Sequence, residues 1–232
     1  MYLAGNAHPE IQFATHQCAR FTHSPRHPHS EAIKRIGRYL KGIIDKNHGL
    51  KFKPTDDLSL DCHVDADFAG LWSYEDDQDP VCGCSRTGYV MSLGGCPIHW
   101  TSKLQQETAL STTEAEYIAL AQALREFIPL RRAYEEMMSA FGFDKNPAVF
   151  KSRIFEDNNG AISTASTPKM TPRTKHIAVK YHFVKGYFGK TRNPDHPFEI
   201  VKIDTLEQNA DIFTKGLSEV AFLRIRKLFC NY

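Results

Sequence analysis

Long apolar runs are missing from this chain. None of its 232 residues belongs to an uninterrupted stretch near the roughly 20 residues that a membrane helix needs, so no membrane partner is expected. A basic segment followed by an apolar one, the secretory pattern, is also lacking at the N-terminus, which predicts an intracellular chain. The six cysteines (Cys18, Cys62, Cys82, Cys84, Cys96, Cys230) make no CxxC pair, which argues against a zinc site or a disulfide framework and for reduced thiols. Internal repeats and low-complexity tracts are absent too. What is present, 41% hydrophobic and 24% charged residues, is enough to bury a real core, and predicts one full domain plus a smaller piece.

The net charge is only +2, but its sign is segregated. Residues 20–53 carry nine Lys/Arg against Glu31 and Asp45, and residues 169–192 carry seven Lys/Arg and no acid. Between them, residues 56–79 hold nine Asp/Glu and no Lys/Arg. Like charges at that density repel unless something positive is bound among them. An acidic centre between basic flanks is how a metal-dependent nuclease would be charged, with cations in the middle and phosphates at the sides. On charge alone, a solvated acidic loop beside ordinary basic helices is the favoured reading.

Periodicity predicts two helices in the first 50 residues, one near Pro9 to Arg20 and one opened by Ser30 as N-cap. Gly49 and Pro54 mark a boundary after them. Residues 58–68 alternate, with Leu58, Leu60, Cys62, Val64, Ala66 and Phe68 on one face of a strand and Asp61, His63, Asp65 and Asp67 on the other. Two further strands are expected at 87–93 and 97–102, joined by a Gly94-Gly95 turn into an antiparallel meander. A long helix starts at Ser111 or Thr112, and Pro129 is expected to kink or end it. Then follow a strand at 153–157, helices near 161–166 and 176–188, a strand at 198–204, and a last helix from Ala210 capped by Asn209.

Four acids stand where strands end or helices begin: Asp65, Glu116, Asp157 and Asp211. Ligand sites of open α/β sheets lie at the carboxyl ends of parallel strands, so Asp65 and Asp157 would converge if their strands are neighbours. Converging carboxylates repel unless divalent cations neutralise them, and Mg²⁺ prefers such a hard oxygen shell. Taken singly, Asp157 and Asp211 are better explained as surface or helix-capping groups. Glu114 and Glu116 are two apart and point away from each other on a helix; periodicity does not choose between them.

Four motifs in order carry a family resemblance: Asp65-Ala66-Asp67-Phe68-Ala69-Gly70, Ser111-Thr112-Thr113-Glu114-Ala115-Glu116-Tyr117, Asp157-Asn158 followed by Ala161, and Gln208-Asn209-Ala210-Asp211-Ile212-Phe213-Thr214-Lys215. With Lys175-His176-Ile177 and His182-Phe183, they resemble the ribonuclease H domain of copia-type retrotransposon polyproteins. Upstream, Tyr2-Leu3-Ala4, Pro9-Glu10-Ile11 and Arg38-Tyr39-Leu40-Lys41-Gly42 resemble the tail of the same family's reverse transcriptase. The resemblance implies an α/β fold, a ribonuclease H-like mixed five-stranded sheet with flanking helices, preceded by a small helical segment. The expected division is a reverse transcriptase tail at 1–53, a catalytic domain at 54–217 and a C-terminal helix at 218–232.

The implied activity is two-metal hydrolysis of the RNA strand of an RNA–DNA hybrid during reverse transcription. Asp65 would bridge two Mg²⁺ (or Mn²⁺) ions, with Glu116, chosen over Glu114 by the resemblance, Asp157 and Asp211 completing the shells. Lys34, Arg35, Arg38, Lys41, Asn158, Arg173 and Lys175 are the candidate nucleic-acid contacts. The implied partners are the hybrid and the polymerase domain of the parent polyprotein. The implied setting is the cytoplasm, within virus-like particles, with the nucleus as alternative. A non-catalytic nucleic-acid-binding or polymerase-supporting remnant is the rival reading.

Some features depart from the family. Phe68 replaces a Trp and is expected to be a buried aromatic. Residues 197–210 lack the His that related cellular ribonucleases H carry before the last Asp; His196 is a poor substitute, and the proton-shuttle role is unassigned. His176 and His182 are out of phase for one metal, which predicts packing or capping roles. Tyr74-Glu75-Asp76-Asp77 resembles a polymerase motif, but Gln78-Asp79-Pro80 follows where an apolar strand is needed, so no polymerase site is expected.

Overall fold

The computed structural model describes residues 1–46, 48–72, 79–142, 151–169, 174–188 and 198–230. Arg173, His196 and the Tyr74–Asp77 motif lie outside the described residues.

Alternation of apolar and polar residues sets the strands. Strand β1 (Leu60–Asp67) pairs antiparallel with β2 (Arg86–Leu93), which pairs antiparallel with β3 (Cys96–Leu104). Gly94 and Gly95 turn that hairpin with φ of +55° and +78°, values that L side chains rarely adopt. Strand β4 (Ser152–Glu156) joins β1 in parallel, and β5 (Phe198–Lys202) joins β4 in parallel. Among the described residues these form one five-stranded sheet in the order β3-β2-β1-β4-β5. This is the mixed five-stranded α/β sheet with flanking helices expected from the sequence.

Helices cover both faces. On one face Leu60, Cys62, Val64, Tyr89 and Met91 pack against α4 (Thr112–Ala140), whose first turn is capped by the Ser111 hydroxyl accepting from the Glu114 amide at 3.2 Å. Helix α5 (Asn159–Ser166) also packs against α4. On the other face Val90 and Trp100 meet Ile212 and Phe213 of α6 (Asp211–Thr214) and Ile225, Phe229 and Cys230 of α7 (Glu219–Cys230).

The N-terminal segment folds into α1 (Tyr2–Asn6), a 3-10 turn at Pro9–Ile11, α2 (Gln12–Ala19) and α3 (His27–Ile44). It is fastened to the sheet by particular polar contacts. The Trp100 indole N–H donates to the Ala4 carbonyl at 2.7 Å, and the buried Arg86 guanidinium donates to His16 Nδ1 at 3.0 Å and to Gln17 Oε1. Burial first, then the Arg86 charge, pushes the His16 imidazole down to about 4, so it is a neutral acceptor there. No described helix is long and apolar enough to cross a membrane.

Several local expectations are corrected. Helix α4 does not end at Pro129 but runs through it to Ala140, because residues beyond the lost hydrogen bond remain packed: Arg131 lies over the Phe198 ring, and the Tyr134 hydroxyl donates to the Leu58 carbonyl at 3.2 Å. Helix α3 starts at His27 rather than after Ser30, because His29 Nδ1 accepts from the Arg26 amide at 2.9 Å and Pro28 suits a first turn. Asn209 caps nothing; its amide points to His63, 3.5 Å away, while α6 stops at Thr214 and the chain turns before α7. The helix expected over 176–188 is a 3-10 helix over Val179–Gly186. Phe68 is 38% exposed, since the chain leaves the sheet at Asp67 and Ala69 adopts φ +48°.

Candidate metal centre

Asp65 lies near the carboxyl end of β1, Asp157 follows directly on β4, and the parallel pairing of these strands brings the two acids together. Helix α4 crosses behind them and lays Glu116 alongside. One oxygen from each of Asp65, Glu116 and Asp157 lies within 4.8 Å of the other two. The ambiguity between the glutamates ends here. Glu116 faces the carboxylates, while Glu114 faces away, accepting from the Leu110 amide and from His176 Nε2, both at 2.9 Å.

The fourth acid, Asp211, opens α6. Gly88 on β2 makes its approach feasible: a Cβ there would sit 2.6 Å from Thr214 Cγ2 and 2.7 Å from Phe213 Cβ, inside contact distance. The buried Gln208 pins the segment to β1, donating to the Val64 carbonyl at 2.8 Å and accepting from the Ala210 amide at 3.2 Å. Two side chains then reach across. The Thr214 hydroxyl donates to Asp65 Oδ2, and Lys215 Nζ lies 2.7 Å from Asp211 Oδ1 and 3.9 Å from Asp65 Oδ2. Among the described residues Asp211 is near the three-carboxylate group but outside it.

Electrostatics follow from this crowding. Burial, with Asp211 and Asp157 adding to it against Lys215 and Thr214, pushes the Asp65 carboxyl up to about 7. Burial and the neighbouring Glu156, Asp65 and Asp157 hold Glu116 well above the carboxylate range, opposed by the Ala66 amide. Asp211 is raised by burial and Asp157, with Lys215 opposing. Burial works against the Lys215 charge, but Asp65, Asp211 and Asp67 outweigh it and raise that lysine.

These residues fit a hard divalent cation. All the donors are carboxylate oxygens, and the buried Glu116 Oε2 has no hydrogen-bond partner, a cost that a bound cation would remove.

Two contributors were missed in the sequence. Glu156, fully buried beneath the group, accepts from the Asn158 amide at 3.0 Å and is raised well above its ordinary range by burial, Asp157 and Asp65. The signal was its phase: Ser152, Ile154 and Glu156 share the inward face of β4. Lys215 was quoted within a motif but given no role; its spacing from Asp211, one helical turn, is that of an ion pair.

The other candidates are scattered. Lys34, Arg35, Arg38 and Lys41 are exposed on α3, with Lys34 2.7 Å from Glu31, and Lys175 is exposed. Asn158 uses its side-chain oxygen to cap α5, accepting from the Gly160 and Ala161 amides at 2.8 and 3.1 Å. His176 holds Glu114, and the Tyr117 hydroxyl lies 3.1 Å from His182 Nδ1, so both histidines brace α4. A cleft of about 470 Å³ opens beside the same helix end, lined in part by Ser111, Thr113, Thr174, His176 and Lys169.

Comparison with known proteins decides the family. Over 214 residues, 92% of its length, the chain is 35% identical to the "Retrovirus-related Pol polyprotein from transposon RE1" of Arabidopsis thaliana. The chain belongs to the retrovirus-related Pol polyproteins of transposons. It is also 35% identical, over 228 residues and 98% of its length, to the Pol polyprotein of the Nicotiana tabacum transposon TNT 1-94. The chain spans 13% and 15% of the lengths of these two Pol polyproteins. No protein-family model matches it. Among solved structures it is similar to the N-terminal RNase H domain of a Mycobacterium tuberculosis protein, with 11% identity and a TM-score of 0.42, covering 73% of this chain and 97% of that one.

Proposed function

We propose that this segment is the ribonuclease H part of a copia-type retrotransposon polyprotein, a hydrolase that cuts the RNA strand of an RNA–DNA hybrid with Mg²⁺. The observation that carries the reading is the convergence of Asp65, Glu116 and Asp157 from β1, α4 and the end of β4. Asp65, Glu116 and Asp157 would hold a first ion, and Asp65 with Asp211 a second. When bound, the ions supply positive charge against the phosphodiester and make a nearby water more acidic.

The chain's own residues do the rest. Burial of Asp65 and Glu116 keeps bulk water from competing for their oxygens, and Thr214 and Gln208 fix the Asp65 side chain and the Asp211 segment in place before substrate arrives. The cleft beside α4, with its hydroxyls and Lys169, suits a phosphate backbone read by shape rather than by base edges. Lys34, Arg35, Arg38, Lys41 and Lys175 add charge for the same purpose. The polymerase part of the parent polyprotein is the proposed neighbour, in cytoplasmic virus-like particles.

Incubating the chain with a hybrid labelled in its RNA strand, with Mg²⁺ and with chelator, tests the reading. RNA cleavage with Mg²⁺, none with chelator, and none of the DNA strand are expected. An intact hybrid in the presence of Mg²⁺ would favour the binding remnant.

A further inference from the structure

Lys215 is in an unusual position for a lysine beside a divalent-metal site. It does not flank the carboxylates; its ammonium lies between two of them, 2.7 Å from Asp211 Oδ1 and 3.9 Å from Asp65 Oδ2. The remaining three-carboxylate group of Asp65, Glu116 and Asp157 closes without it. The site is therefore divided into a nest open to a cation and a second position already holding one.

The surroundings treat the two halves differently. The Thr214 hydroxyl, fully buried, ties α6 to Asp65, and the absent Cβ of Gly88 leaves α6 seated on β2, so Asp211 has little room to move away. Lys215 itself has a flexible four-carbon stem and a side chain 38% exposed, which gives its ammonium a route to solvent. At Asp211 Oδ1, only 2.7 Å from the ammonium, a divalent ion would meet a charge already in place, and the two repel strongly in a partly buried site, so that oxygen takes one or the other.

Resting on the metal-centre reading above, we propose that Lys215 is a built-in cation of the Asp65–Asp211 position. Asp65, Glu116 and Asp157 would hold a first divalent ion with Lys215 in place. Asp65 and Asp211 would hold a second only as the lysine withdraws, and would hold it more weakly for that. In the metal-free chain the same ammonium relieves repulsion among the carboxylates, which would explain how the site stays assembled before an ion arrives.

Calorimetric titration of Mn²⁺ into the full chain tests this, using wild type, Lys215→Met, Lys215→Arg and the distant control Lys180→Met, whose ammonium pairs with Glu107. Wild type is expected to take one ion and then a second at least about tenfold more weakly, given the competing charge. Lys215→Met should tighten the second event by about tenfold or more and leave the first nearly unchanged, while Lys215→Arg, which keeps the charge, and Lys180→Met should behave as wild type. Adding Asp211→Asn to Lys215→Met should abolish the second event alone. Melts in chelator should show Lys215→Met less stable than wild type and gaining more from Mn²⁺. Two equally tight ions in wild type, or a second event that tightens equally in Lys215→Met and Lys215→Arg, would overturn the proposal and leave the metal centre standing. A wild-type chain that binds no Mn²⁺ would overturn both.

Discussion

Helices α3 and α4 both carry an apolar stripe, yet α4 buries fourteen of its residues and α3 buries Ile43 alone. Around α4 the core is continuous, and the carboxylates are built onto it: Glu116 rides on a helix whose neighbours Ala115, Tyr117 and Ile118 are all buried. Around α3 fewer residues are buried: Tyr39 meets the Phe222 ring edge-on and lies 3.5 Å from the Arg226 guanidinium, while Ile33 remains 57% exposed. The contrast separates two tasks. A site that must hold like charges together needs a rigid, dry frame, whereas a surface that grips a polyanion, as proposed for α3, would need only charge and access.

The largest effect expected from this contrast lies in the carboxylates. Asp65→Asn or Asp157→Asn should lower Mg²⁺-dependent cleavage by at least about 10³-fold, since a lost metal ligand removes several kcal/mol of transition-state stabilisation. Thermal melts in chelator should show the same proteins folded and no less stable, because a repelling charge is gone. Near-normal cleavage by either variant would remove that residue from the site.

Hybrid binding should depend on salt in the opposite way to the site's stability. If the exposed cations of α3 and Lys175 grip phosphates, affinity should fall about 10- to 1,000-fold between 50 and 200 mM salt, read by paired titrations. Equal affinities would remove nucleic acid as the partner of that surface.

A smaller effect is expected from cutting the chain at the proposed boundary. Residues 54–232 alone should melt cooperatively but with roughly 2–4 kcal/mol less stability, because Trp100 loses the Ala4 carbonyl and Arg86 loses His16 and Gln17. Hybrid binding should weaken with the loss of Lys34, Arg35, Arg38 and Lys41. Aggregation of that fragment, with the full chain monomeric, would mean that the N-terminal helices belong to the same core as residues 54–232.

The smallest effect concerns pH. Asp65, raised from 3.8 to about 7, keeps its proton in the folded chain where the unfolded chain has lost it. Its contribution to stability is therefore present at low pH and is lost as pH rises from about 4 through about 7. His16 and His63, both lowered to about 4, act in the opposite sense between there and 6.5, which masks the trend in wild type. Comparing melts of wild type and Asp65→Asn in chelator isolates it: the variant should gain roughly 1–3 kcal/mol relative to wild type on going from pH 5 to pH 8. A constant difference across that range would contradict the burial of Asp65.

How much of this was legible in the sequence depended on how local its cause is. Alternation exposed β1 and put Asp65 on the face opposite Cys62 and Val64; Gly94-Gly95 marked the hairpin, and Ser111 marked the start of α4. Those signals act over a few residues. Pro129 did not end the helix because what carries it past, the contacts of Arg131 and Tyr134, comes from residues distant in the chain, Phe198 and Leu58. Asn209 misled for a similar reason, since a histidine on β1 takes the side chain expected to cap. Glu156 and Lys215 could be seen as an inward-phased acid and an ion-pair spacing, but their meaning required knowing that β4, β1 and α6 meet. Asp65, Glu116 and Asp157 stood out at strand ends and a helix start, the family resemblance chose Glu116 over Glu114, and their convergence needed the fold.

The most direct measurement is the position of an ion. Crystals of the full chain soaked in Mn²⁺ should give an anomalous difference peak about 2.0–2.3 Å from one oxygen each of Asp65, Glu116 and Asp157, a bonding distance for a hard divalent cation. A well-ordered site without a peak, or a peak bonded to other residues while these three carboxylates stay bare, would contradict the assignment of this nest as the metal centre.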